Sequence, residues 1–320
     1  MPSSFESQLF LSRPYLTKNQ IMCAQRNTIT DRRTYNQKKL GILNFLSELC
    51  IKLELPRKTL ETAMYFYQRY HLFNSFETEL CYTVATSCLV LSCKQVETVK
   101  KVNEIAILSL QIRNMIKINP NILESFKKRL YQIELRILES CNFDYRINNN
   151  VYIDEYIIKI GKTYSFDFKV CSLAWCIAYD VLKLDVILMV PPPIIALATI
   201  KIAYELYNLK HWPLNSHEAI GADEVIVDDI MFHIIDFYIN AFDLCDLKYN
   251  LPADLDPISV ETFIQIKSQL GPEVNSEDVP NNYVKYDIFL NKPRQYSVQE
   301  RRYVLSSKFL KEELESLQNV

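Results

Sequence analysis

Apolar residues recur every three or four positions over most of this chain, which is the spacing of amphipathic helices. Leu40, Leu43, Leu46 and Leu49, with Ile42 and Phe45 alongside, predict a broad-faced helix over 36–53. A second helix is predicted from Pro56, whose fixed φ suits a first helical turn, with Leu60, Ala63, Met64 and Tyr67 as its stripe. The third, from about Glu79 to Lys94, carries no charge between Leu80 and Cys93 and is apolar or small all round. Such a helix has no face to give to water and belongs at the centre of a bundle. Its Ala85, Ser87, Cys88 and Ser92 are small enough for neighbours to approach closely. A weaker fourth segment occupies 100–113. The fifth opens on Asn119-Pro120, a cap followed by a first-turn proline. Its stripe is Leu123, Phe126, Leu130, Ile133, Ile137 and Cys141, and "FDYRINNN" ends the pattern.

A second series follows at about 151–161, 167–184, 193–207 and 225–242. Its third member, "IIALATIKIAYEL", is again small and apolar, so each half of the chain places a buried helix in its middle. This hints at internal duplication. Residues 1–35 are polar with scattered aromatics and no sustained period. Beyond 250, prolines punctuate a polar tail that keeps one predicted helix near 258–270 and another near 305–317. The expected division is therefore an N-terminal extension (1–35), one bundle (36–147), a second bundle (148–250) and a C-terminal extension (251–320).

Composition narrows the fold. Four glycines in 320 residues leave little room for hairpins or barrel corners, and their separation of fifty residues or more excludes GxGxxG and P-loop motifs. The chain is expected to be all-α. Its formal net charge is −2, and its small basic clusters fall within helical patterns rather than forming a stripe, so no direct nucleic-acid contact is expected. Nine cysteines sit singly in apolar segments without a CxxC, the usage of a reducing compartment. Four histidines show no HxxxH or His-Cys ligand spacing, so no metal, cofactor or catalytic residue is predicted. The greasiest run, 186–200, is interrupted by three prolines and too short for a bilayer, and the first thirty residues lack a signal-peptide core. The sequence reads as a soluble intracellular chain.

Two charges stand out. "LVLSCKQVET" (89–98) ends an uncharged segment in Lys94, with Glu97 three residues on. On the fifth predicted helix Glu134 borders the apolar stripe and has no basic residue three or four positions away. Two readings are open. Both charges point into water or pair with each other; or they give direction to an interaction patch whose apolar contact comes from Leu91 and Leu138.

Two consecutive helical bundles, each with a small-residue central helix, resemble the paired repeats of the cyclin family. In that family the third helix of the first repeat ends in an apolar run followed by lysine and acids, and Lys94 and Glu97 match those places, whereas Gln95 and Val96 depart from them. Glu134, Phe143 and Asp144 in "ELRILESCNFDY" are similar to the family's fifth helix. "TLETAMYFYQRY" resembles its second helix, with Arg69 in the arginine position. "VPPPIIALATIKIAYEL" looks like the Pro-Pro stretch of transcription-type cyclins, and the resemblance spans roughly 36–245. "FESQLFLSRPYL", "PRKTLETAMYFYQRYHLFN" and "QERRYVL" look like cyclins that serve the fungal kinases acting on the RNA polymerase II C-terminal domain.

The resemblance implies two tandem five-helix cyclin repeats with N- and C-terminal extensions, and a regulatory rather than enzymatic role. It implies a cyclin-dependent kinase catalytic subunit as partner, bound through Lys94, Glu97, Glu134, Leu91, Leu138 and Tyr145. It further implies a third small subunit completing a heterotrimer, an indirect relation to the RNA polymerase II C-terminal domain, and a nuclear role in transcription elongation. Residues 1–35 and 251–320 are expected to pack on those partners. Lys39 and Asn44 stand where many cyclins have a buried Arg–Asp pair, so the first helix is expected to be held differently. With Lys38, Gly41, Ile42 and Phe45 on it, the substrate-docking patch of cell-cycle cyclins is not expected to survive. The alternatives are a cyclin-fold transcription factor that binds nucleic acid, which would need a basic face, and a helical scaffold without a kinase.

Overall fold

The computed structural model of the chain describes residues 15–114, 118–141, 143, 152–209, 212–214, 224–255, 257–270, 283–286 and 299–302. Eleven α-helices account for most of them: α1 Lys18–Thr28, α2 Arg32–Lys52, α3 Arg57–Phe73, α4 Cys81–Gln95, α5 Val102–Ile112, α6 Pro120–Ser140, α7 Ile153–Thr163, α8 Phe168–Val181, α9 Pro192–Leu206, α10 Glu224–Ala241 and α11 Val260–Gln269. They fall into two compact units, one within Gln20–Asn150 and the other built mainly from Val151–Asp287 with the segment before Gln20.

In the first unit α4 is the central element, packed against α2, α3, α5 and α6. From Cys81 to Cys93 every position except Tyr82 is buried, as a helix without a polar face requires. Its small polar side chains are satisfied across helix boundaries. Ser87 Oγ donates to the Leu130 carbonyl on α6 at 2.7 Å, and Thr86 and Ser109 hydroxyls pair at 2.8 Å. Each such bond is worth about 0.5–1.5 kcal/mol net and fixes the register of the helices it joins. Asp31 and Asn119 cap α2 and α6 by accepting from Thr34 N (3.1 Å) and Ile122 N (2.8 Å). Pro56 stands one position before α3 rather than inside its first turn. Arg69 Nε donates to the Ser140 carbonyl at 3.0 Å and so ties α3 to the end of α6.

The helix predicted first, α2, is held chiefly by its apolar face. Asn44 is exposed and Lys39 half-buried, while Tyr35, Ile42, Leu43, Phe45, Leu46 and Leu49 are all buried. Phe45 meets the Tyr82 ring edge-on at 5.1 Å. Of the side chains considered for substrate docking, Ile42 and Phe45 are therefore in the core.

His71 on α3 is fully buried among the rings of Tyr35, Tyr67, Tyr70 and Phe76. Desolvation holds its pKa down at about 3, against an ordinary 6.5. The folded state thus keeps a neutral ring that the unfolded chain protonates. Stability supplied by the neutral ring is complete above pH 6.5 and is lost as pH falls from there toward 3. The loss approaches about 1.4 kcal/mol per pH unit in that window. Urea midpoints measured through the window should fall accordingly, and a His71→Phe variant should show a shallower slope; equal slopes would remove His71 from the account.

In the second unit α9 is the central helix, flanked by α7, α8 and α10 and buried at most of its positions. Pro192 opens it in the first turn, where no amide is missed. α11 adds Phe263, stacked on Tyr238 of α10 at 4.8 Å. At the end of α8 a buried ionic cluster closes the unit. Asp180 accepts from Lys183 Nζ (3.0 Å), Asp246 N (2.9 Å), Leu247 N (2.9 Å) and the Tyr238 hydroxyl (3.3 Å). Lys183 Nζ also donates to Asp246 at 2.6 Å. Nothing in the helical periodicity pointed to it, because Asp180 and Lys183 read as an ordinary i,i+3 pair on a helix face.

Three expectations need correction. Residues 1–35 are not without helical structure: α1 and the start of α2 lie there, with Ile21, Ala24, Gln25 and Thr28 buried. Two of those four are polar, so the apolar period was faint. Tyr15 and Leu16 are buried against this chain itself, Leu16 N donating to the Leu188 carbonyl at 3.0 Å, and so do not await a partner. The helical architecture also has an exception in the C-terminal extension, where Tyr283–Tyr286 pairs antiparallel with Gln299–Arg302. Tyr-Val-Lys-Tyr is rich in strand-favouring residues. The helix expected near 305–317 lies outside the described residues.

Candidate functional site

The last turn of α4 and the middle of α6 are neighbours in the first unit. Lys94 leaves the buried run three residues after Leu91, and its length carries the ammonium beyond the core. The helix then stops, and Glu97, exposed, adopts a left-handed φ of 56° that redirects the chain. On α6 the buried stripe of Leu130, Ile133 and Ile137 faces the core. Glu134 stands at its margin.

Lys94 Nζ donates to both carboxylate oxygens of Glu134, at 2.7 and 2.8 Å. The two charges are thus each other's mates within the chain. Their side chains are 51% and 12% exposed, so the bridge lies at the surface with Glu134 recessed. A pair exposed to this degree adds only about 0.2–1 kcal/mol to the fold. The ammonium also sits 5.6 Å from the centre of the Tyr131 ring.

The apolar part of the site differs from expectation. Leu91 is 5% exposed and belongs to the core, because α4 is surrounded at that level. Leu138 is half-buried. Tyr145 lies outside the described residues. In their place α6 presents Tyr131 and Leu135, 49% and 52% exposed. Tyr131, Leu135 and Leu138 recur at i, i+4 and i+7, which puts them on one line, rotated about a third of a turn from the buried stripe. Glu134 stands between this line and the buried stripe. That second periodicity was legible in the sequence; the stronger core stripe masked it. Phe143, 59% exposed just beyond the helix, has a left-handed φ of 56°. The arrangement offers a hydrophobic ridge beside a preformed ion pair, which suits recognition of another protein and holds no group placed for acid–base or nucleophilic work.

Among the described residues no group of three or more His, Cys, Asp or Glu gathers to hold a metal, and no helix is long and apolar enough to cross a membrane. None of the nine cysteines forms a disulfide.

Residues 12–146, which include this bundle and its Lys94–Glu134 bridge, match the model of the cyclin N-terminal domain. The chain belongs to the cyclin family, as a regulatory, non-catalytic subunit. Within the family it is 61% identical over 306 residues to the CTD kinase subunit beta of Saccharomyces cerevisiae, covering 96% of this chain and 95% of that protein. A second relative, the CTD kinase subunit beta of Schizosaccharomyces pombe, is 26% identical over 237 residues, 72% of this chain and 68% of that one. Among solved structures, a chain of the crystal structure of the yeast RNA Pol II CTD kinase CTDK-1 complex superposes with a TM-score of 0.81 at 58% identity, covering 94% of this chain and 97% of that chain.

Proposed function

We infer that this chain is the cyclin of a kinase complex that phosphorylates the C-terminal domain of RNA polymerase II, binding the catalytic subunit through the ridge on α6 and the Lys94–Glu134 bridge. The observation that carries this reading is the exposed line Tyr131, Leu135 and Leu138 beside that bridge. High identity along nearly the whole length of a CTD kinase beta subunit supports the substrate and the company it keeps.

A protein kinase is competent only when an N-lobe helix brings its glutamate to the ATP-binding lysine. The cyclin's part is to prefer that conformation. Moving a kinase from about 1% to about 99% competent takes about 5.5 kcal/mol of differential binding. Some 300 Å² of additional apolar contact contributes roughly 7 kcal/mol before ordering costs, a scale that three large side chains can reach. The bridge fixes register and orientation more than net affinity. Glu97, exposed where the chain turns after α4, sits close enough in sequence to join the same contact.

The finer assignments belong to the same reading. Residues 36–147 and 148–250 form two cyclin repeats, the second centred on α9, between extensions at 1–35 and 251–320. A third small subunit completes a heterotrimer, and the complex acts in the nucleus in transcription elongation. Reconstitution tests the proposal. The purified chain should form a one-to-one complex with the kinase catalytic subunit and switch on phosphorylation of a C-terminal-domain heptad peptide. A kinase equally active without the chain would overturn it.

A further inference from the structure

The first unit carries a cavity of about 420 Å³ where the start of α4, the end of α5 and the first turns of α6 meet. Arg113, half-buried just after α5, and Arg129, exposed on α6, both line it. Neither guanidinium has a carboxylate or hydrogen-bond partner among the described residues; Arg113 rests beside the Tyr82 ring, 5.3 Å from its centre. Two cations on one concave wall repel each other until an anion enters between them. Thr83 lines the same cavity at 4% exposure, and its hydroxyl also lacks a partner among the described residues. A hydroxyl so placed is satisfied by what enters the cavity. The first turn of α6 adds an amide. Pro120 has none, the Asn119 side chain takes that of Ile122 at 2.8 Å, and that of Asn121, another lining residue, has no helical carbonyl behind it.

These donors outnumber what a carboxylate can accept. Two guanidinium forks, a hydroxyl and an amide suit a tetrahedral group with three terminal oxygens and nearly two negative charges, which is a phosphate monoester. Leu110, Ile122 and Phe126 supply apolar wall, which the carbon side of an ester covers and a bare inorganic anion does not. Exposed Glu79 is the one acid among the described lining residues and opposes the two arginines without cancelling them. A nucleic-acid backbone fits poorly, since its phosphates are singly charged diesters tracked by a basic stripe rather than held in a pocket. We propose that this cavity binds a phosphate monoester, presented by a phosphorylated side chain or by a small phosphorylated metabolite. Thr83 precedes Lys94 by eleven residues on α4, about 16 Å along the helix axis, so the site is distinct from the ion pair at the other end of the same helices.

The test titrates the full chain with acetyl-phosphoserine methylamide, glycerol phosphate and inorganic phosphate, followed by ligand-observed NMR. Both esters should bind more tightly than inorganic phosphate, and acetyl-serine methylamide should not bind. The tighter ester names the source, and either order supports the site. Arg113→Gln with Arg129→Gln should weaken that ester by about tenfold or more, because charge-assisted hydrogen bonds to phosphate are lost. Thr83→Val, which removes the hydroxyl and keeps the branched shape, should weaken it severalfold. Glu79→Gln, which removes the opposing charge, should strengthen it, an effect that a merely structural role for these residues would not produce. Circular dichroism of each variant separates lost binding from lost fold, and should the arginine variant unfold, Glu79→Gln decides. Three results would each overturn the proposal: neither ester binds, inorganic phosphate binds as tightly as both, or the arginine and Glu79 variants leave ester binding unchanged.

Discussion

Exchanging the two charges of the surface bridge, Lys94→Glu with Glu134→Lys, is expected to leave the fold intact and abolish kinase activation. The exchange keeps an ion pair between the same helices, and an exposed pair is worth only about 0.2–1 kcal/mol to begin with, so thermal unfolding should shift little. Recognition is another matter. A partner surface complementary to a cation at the end of α4 and an anion recessed on α6 would meet each charge in the wrong place, and a mispaired or unpaired buried charge costs about 2–5 kcal/mol. That corresponds to a loss of roughly thirtyfold to several thousandfold in affinity. The double truncation Lys94→Ala with Glu134→Ala should also keep the fold and lose activation. Calorimetric binding and heptad-peptide phosphorylation check both variants. A charge-exchanged chain that binds and activates normally would show the bridge to be merely structural.

The largest effect on stability is expected from Lys183→Ala. The lysine is almost fully buried, and its removal leaves Asp180 charged at 0% exposure beside an orphaned Asp246. Breaking a buried pair in this way costs about 3–5 kcal/mol. Replacing both partners by apolar residues would not recover it, because Asp180 also accepts the amides of Asp246 and Leu247 and holds the turn after Cys245 in place. Urea denaturation followed by circular dichroism measures the loss; a change below about 1 kcal/mol would contradict the role given to the cluster. The pH dependence has a defined sign. Desolvation alone would lower the Lys183 pKa, but Asp180 and Asp246 outweigh it and hold it above the ordinary lysine value. A lysine whose pKa is raised by folding contributes stability that is complete below its unfolded value, near 10.5, and lost as pH rises through the folded one. Desolvation raises the Asp180 pKa despite its donors, so the folded carboxyl also holds its proton more tightly than the unfolded one. Both shifts make stability fall as pH rises through their windows, the lysine in the alkaline range and the aspartate in the acid range.

Much of the helical framework was legible because each helix must bury one face. Leu40 to Leu49, the uncharged run before Lys94, and Leu130 to Ile137 carry that requirement in their spacing alone. α1 was missed because half of its buried positions are polar, Gln25 and Thr28. The candidate site was legible in its charges but not in its apolar half. Lys94 and Glu134 are conspicuous because neither has a partner within its own helix, yet Leu91 looked like surface and Tyr131 and Leu135 were overlooked. Periodicity identifies a helix's apolar positions; it does not say how many sides of that helix its neighbours cover. Leu91 is buried because other helices close over α4, and Leu135 is exposed because none of the described helices covers that side of α6.

The sequence by itself determined the helices, the two central segments that cannot face water, the lack of Gly-rich phosphate loops, and the kinship that its motifs carry. Only the tertiary structure decided that Lys94 and Glu134, forty residues apart, meet at 2.7 Å, that Asp180 and Lys183 form a buried cluster with Asp246, and that Thr83, Arg113 and Arg129 line one cavity. The reason is one of range. Helical propensity and amphipathic spacing act over a few neighbouring residues, whereas an ion pair, a desolvated charge or a cavity depends on which distant segment comes to lie beside each residue.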